Sequence, residues 1–93
     1  MNEERINREE IAGHYGDDLM FADGFDNSII GVSIGISGRA IVYDADKMAE
    51  TLITRDNMEY SEAWEFLEYN TFNAHVGDNT PVFVVKFGEE DEL

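Results

Sequence analysis

Between residues 30 and 36 the chain alternates without a break. Ile30, Val32, Ile34 and Ile36 share one parity, and Gly31, Ser33 and Gly35 the other. A period of two puts the branched apolar side chains on one face of a strand, whereas a helix would scatter them around its axis. Ser37-Gly38 then reads as a tight turn and 39–43 as the return strand. That register sets Ile36 opposite Arg39, Ile34 opposite Ile41 and Val32 opposite Tyr43. One face of the hairpin is then bulky. The other carries Gly31, Ser33, Gly35, Ala40 and Val42, small enough to admit a close second layer. The rest of the chain has to cover the bulky face.

Two helices are available to do so. Asp44 is a good N-cap for a helix over 45–55, whose Ala45, Met48, Ala49, Leu52 and Ile53 make one apolar stripe before Asp56-Asn57. Ser61 is the expected cap of a second helix that runs to about residue 75 and stops at Gly77. That helix is apolar on more than one side, through Ala63, Trp64, Phe66, Leu67, Tyr69, Phe72 and Ala74. It is therefore either deeply buried or offers a second face to a partner. Thr80-Pro81 opens a third strand over 82–87, with Pro81 suited to the first position of a strand and not its middle. Upstream, Asn7 with Glu10 begins a peripheral helix that reaches Tyr15 and stops at Gly16. Residues 17–27 show no period, and Leu19, Met20, Phe21 and Phe25 are expected to be buried from a loop. The order α-β-β-α-α-β defines an α+β fold, a three-stranded sheet expected to be antiparallel and packed by two main helices. With 93 residues the chain has room for one domain, expected over 1–88, with 89–93 as an acidic mobile tail.

Charge narrows the function. Six basic residues against 21 acidic ones give −15, which repels nucleic acid and anionic membrane alike. Without cysteine there is no disulfide and no thiolate metal site. No apolar run nears the roughly 18 residues of a membrane span, and no signal peptide is expected. The charge is uneven: 28–43 sums to +1 and 77–87 to zero, while 57–76 sums to −4.

Asp17, Asp18, Asp23, Asp26, Asp44 and Asp46 invite a hard-cation reading. Counting from Asp17, however, Leu19 and Phe21 stand where a Ca²⁺ loop needs oxygen ligands. Turn and cap chemistry accounts for these aspartates, and no metal is expected. His14 and His75 sit on different helices and read as structural, His75 in a last turn where a cation suits the helix dipole. Ser33, Ser37 and Ser61 lack the framing of a nucleophile. No catalytic residue and no cofactor is expected, and the chain does not read as an enzyme. What stands out is Glu59, Glu62, Glu65 and Glu68, recurring every third residue with Tyr69 beside them. This acidic ridge is either a solvated face or a negative strip that meets a basic groove, and it is the candidate partner-binding site.

Short stretches carry a likeness. They are Asp23-Gly24-Phe25-Asp26, Val42-Tyr43-Asp44 with Met48 and Leu52, Met58, Glu62-Ala63, Phe66, Glu68-Tyr69-Asn70, and Val76-Gly77 with Thr80-Pro81-Val82-Phe83-Val84. Together, over roughly residues 20–85, they resemble a widespread family of small proteins from tailed phages and prophages. The resemblance implies a viral or mobile-element origin and a place in the cytoplasm of an infected or lysogenic host. It implies no reaction and no catalytic residues.

The leading expectation is an accessory protein that occupies a basic surface of a host protein. Its carboxylates would stand in for phosphates, making it an inhibitor or mimic aimed at a defence or nucleic-acid-binding machine. One rival is a self-associating structural protein, a homodimer joined through a strand edge or the aromatic helix. Another is a small metal-dependent enzyme using the aspartates. A third is adaptation to high salt, since only two lysines face 21 acids. Circular dichroism against salt separates the first from the last. A mimic folds fully in dilute buffer, whereas a salt-adapted domain unfolds there through self-repulsion.

Overall fold

In the computed structural model, which describes residues 8–35, 38–73, 77 and 79–87, the alternating segment is strand β1, Ile29–Gly35. It pairs antiparallel with β2, Gly38–Asp44, and β3, Val82–Val84, lies on the other side of β2. Helix α1, Arg8–Tyr15, and a 3-10 turn, Asp26–Ser28, precede the hairpin. Helix α2, Ala45–Asp56, helix α3, Tyr60–Leu67, and a π-helical turn, Glu68–Phe72, separate β2 from β3. The fold is α+β, with helices and strands in the expected order.

The sheet is mixed and not wholly antiparallel. β3 runs parallel to β2, with Val42, Tyr43 and Asp44 opposite Val82, Phe83 and Val84. The cause is the connection: the helices between these strands form a crossover that carries the chain back to the end of the sheet where β2 began. β3 is also shorter than expected, since Val85, Lys86 and Phe87 lie beyond the pairing.

The hairpin register differs by two residues from the expected one. Ile34 faces Arg39 and Val32 faces Ile41, and the connection falls at 36–37 between paired Gly35 and Gly38. Gly38 takes φ +118°, a conformation that favours glycine. Nearer the start, Ile29 pairs with Tyr43 but Gly31 with Val42, so Ile30 is an extra, bulged residue. The bulge changes the parity of everything before it. Ile29 is buried at 6% exposure, while Ile30 stands 47% and Ile34 76% exposed. Of the alternating apolar residues expected to meet the helices, Val32 alone among the described residues packs on the core. Ile36 lies outside the described residues.

On the small-residue face a Cβ added at Gly31 or Gly35 would meet nothing within 4 Å, so the expected close approach does not occur at these glycines, although Ala40 on the same face is buried at 5% exposure. The aromatic helix lies against the opposite face, where Phe72 packs on Phe83 at 4.9 Å and Phe83 stacks on Tyr43 at 5.7 Å.

α2 forms as its stripe dictates, burying Ala45, Met48, Ala49 and Leu52. Asp44 caps it, accepting from the Lys47 amide at 3.2 Å, and Asn57 ends it at φ 60°. α3 starts earlier than expected. Its cap is Glu59 and not Ser61, with the Glu59 amide donating to Glu62 Oε1 at 3.2 Å. The helix turns π-helical at Glu68 and ends at Phe72, short of residue 75. His75 and the 89–93 tail lie outside the described residues.

The core joins Ile41 and Tyr43 of the sheet to Met48, Ala49 and Leu52 of α2 and Ala63 and Leu67 of α3. Leu19 and Phe25 enter it from the loop, as expected, but Met20 is exposed. The loop is tied down by Tyr43, whose hydroxyl oxygen accepts from the Ala22 amide at 2.6 Å. Tyr43→Phe removes that acceptor and should destabilise the fold by about 1–3 kcal/mol in urea denaturation. Burial also pushes the Tyr43 phenol above its ordinary 10.0. The folded state therefore favours the neutral phenol. Its contribution is complete below pH 10 and lost as pH rises through the folded value. Tyr43→Phe should accordingly flatten the alkaline limb of the stability curve.

Candidate functional site

α3 has a sharply divided surface. Ala63 and Leu67, four residues apart, are buried against α2 and the sheet, which turns Glu62, Glu65 and Phe66 outward. The π-helical turn then adjusts the phase. An α-helix would bring Thr71 into line with Leu67, but widening to i→i+5 brings Phe72 there instead. Phe72 reaches the core between Trp64, at 6.0 Å, and Phe83. The same shift leaves Tyr69 90% exposed. Asn side chains serve the backbone carbonyls of this segment: Asn73 Nδ2 donates to the Glu68 carbonyl at 2.8 Å and Asn70 Nδ2 to that of Phe66 at 3.0 Å.

These outward residues line a groove of about 500 Å³ formed by Met58, Glu62, Glu65, Phe66, Glu68, Tyr69 and Asn70. Of the residues expected to meet a partner, Glu62, Glu65, Glu68 and Tyr69 come together here. Glu59 does not line the groove; it caps the helix. Sequence reasoning missed Met58, Phe66 and Asn70. Phe66 was findable, since it sits three residues before Tyr69 on the outward side. Met58 comes from the α2–α3 connection and has no periodic signal.

Among the described residues, no ion pair reaches Glu62, Glu65 or Glu68. Four of the cations among the described residues are engaged elsewhere. Arg8 Nη2 lies 3.2 Å from Asp23 and 2.8 Å from Asp26. Arg55 pairs with Asp56 at 3.1 Å and donates to the Gly24 carbonyl at 2.8 Å. Lys86 lies 3.5 Å from Asp44, and Arg39 stands over the Tyr15 ring. The groove thus combines uncompensated negative charge with exposed aromatic surface.

The aspartates are dispersed among structural tasks. Asp23 and Asp26 converge on Arg8, Asp44 caps α2, and Asp17, Asp18 and Asp46 are exposed. Among the described residues, no three His, Asp or Glu side chains could share a metal ion. His14 is exposed beside Tyr15. A second cavity, about 480 Å³, lies across α3, where Trp64, Phe72, Pro81 and Phe83 contribute to its wall. No helix among the described residues is long and apolar enough to cross a membrane.

Set against protein-family models, curated proteins and solved structures, the chain matches none of them.

Replacing Glu62, Glu65 and Glu68 together by Gln tests whether the ridge is needed for folding. Gln at 62 keeps the acceptor for the Glu59 amide. All three side chains are exposed, so each change should move stability by less than about 0.5 kcal/mol. Thermal denaturation should show an unchanged or slightly raised midpoint, because like charges one turn apart are removed.

Proposed function

We propose that this is a small acidic accessory protein of phage type that binds a basic surface of a host protein through the α3 groove. Its action is that of an inhibitor or nucleic-acid mimic of a defence or nucleic-acid-binding machine. The observation that carries the reading is the groove itself: three carboxylates without a cationic partner among the described residues, set around Phe66 and the outstanding Tyr69 ring. Arginine and lysine are the side chains that satisfy both components. Their charge pairs with the carboxylates, and their cationic heads lie over aromatic faces. A partner that binds phosphates presents such side chains already. The phage origin rests on the residue likeness over 20–85, and the host cytoplasm follows from it.

The test is capture of a partner from bacterial lysate at low salt, followed by binding kinetics with the purified pair. The Glu62, Glu65 and Glu68 to Gln triple variant should associate more slowly, and its affinity should depend less steeply on salt. Association kinetics identical to those of the unmodified protein would remove this face from the function.

A further inference from the structure

β1 is an edge strand. It is bonded to β2 on one side, and among the described residues no hydrogen bond meets its other side. Edge strands in monomers are usually protected by charge or proline. The segment Ile29–Gly35 has neither, and its protection is limited to the bulge at Ile30. That bulge interrupts the edge at its start and leaves 31–35 as regular strand.

The direction of the free backbone groups follows from the ladder. Gly35 and Gly38 face each other across a two-residue connection, the geometry in which the flanking pair bonds mutually. Bonded and non-bonded pairs alternate along an antiparallel ladder. Gly31, Ser33 and Gly35 therefore bond inward to β2, while Val32 and Ile34 turn their amides and carbonyls to the open edge. These two positions are symmetric about Ser33.

We propose that two copies of the chain associate through β1, antiparallel, about a two-fold axis at Ser33. Each Val32 exchanges backbone bonds with the partner's Ile34, and the two sheets become one of six strands. The side chains agree with this register. Ile34, 76% exposed, comes to lie against the partner's Val32, on the face that already holds the core. The charges agree as well. Two chains of −15 repel wherever carboxylates meet, but β1 carries no charge, and the 28–43 stretch around it has Arg39 as its one charged residue. Self-association should therefore tighten as salt screens the remaining repulsion. Binding through the α3 groove has the opposite salt dependence, so the two contacts are separable.

The chain lacks cysteine, which makes a single thiol decisive. In the proposed register Ser33 faces itself as a non-bonded pair with Cα atoms about 4.5 Å apart, within disulfide reach. Ser33→Cys should give a disulfide-linked dimer on mild oxidation at moderate salt. Thr54→Cys, on the exposed surface of α2, should stay monomeric. Light scattering of the unmodified protein should show a dimer that Ile34→Lys returns to monomer mass with an unchanged far-ultraviolet spectrum. A monomeric mass for the unmodified protein at all concentrations would overturn the proposal. So would a dimer that survives Ile34→Lys, or cross-linking no greater for Ser33→Cys than for Thr54→Cys.

Discussion

Tyr43 sits where the layers of the protein meet. Its backbone pairs with Ile29 on one side and Phe83 on the other, its ring stacks on Phe83, and its hydroxyl accepts the Ala22 amide. A chain this short buries a modest core, so each such junction carries a large share of the order. From Tyr43 a run of aromatic contacts continues through Phe83, Phe72 and Trp64 to Tyr60, which reaches the exposed end of α3. The α3 groove is therefore mounted on a helix that is fixed to the central strand by ring packing.

Electrostatics divides the surface by task. Two of the protein's few cations, Arg8 and Arg55, hold the irregular segment 17–27. Arg8 gathers Asp23 and Asp26 and lies 4.7 Å from the Phe21 ring centre, while Arg55 reaches the Gly24 carbonyl across from α2. Asp23 and Asp26 of that segment thus receive counter-charge from Arg8. In helix α3 the carboxylates meet no cation among the described residues, and Ala63 and Leu67 anchor the helix through apolar burial.

The sequence revealed some elements directly and hid others for physical reasons. α2 was legible because its stripe and its Asp44 cap agree with each other. The existence of the hairpin was legible from alternation. Its register was not, since alternation runs straight through the bulge at Ile30 and cannot say which residue is the extra one. The direction of β3 depends on where the helical crossover delivers the chain, which no local pattern encodes. The π-helical turn arises from tertiary demand, as Phe72 seeks the core and draws the backbone out of α geometry. The acidic ridge was visible as spacing, but its conversion into a groove needed Met58 and Phe66, placed by a connection and by packing.

The parallel pairing of β2 with β3 joins residues much further apart in sequence than the hairpin does. The β1–β2 hairpin closes over two residues, whereas Tyr43 and Phe83 are joined only after the intervening helices are in place. Long-range closure of this kind is slow to form, and a strand of three residues offers few bonds to hold it. β3 is accordingly the strand with the least backbone pairing to hold it, and it depends most on the helices that precede it. Where β3 parts from β2, Phe72 would lose Phe83, its ring partner at 4.9 Å, while the α3 carboxylates would stay on a helix anchored by Ala63 and Leu67.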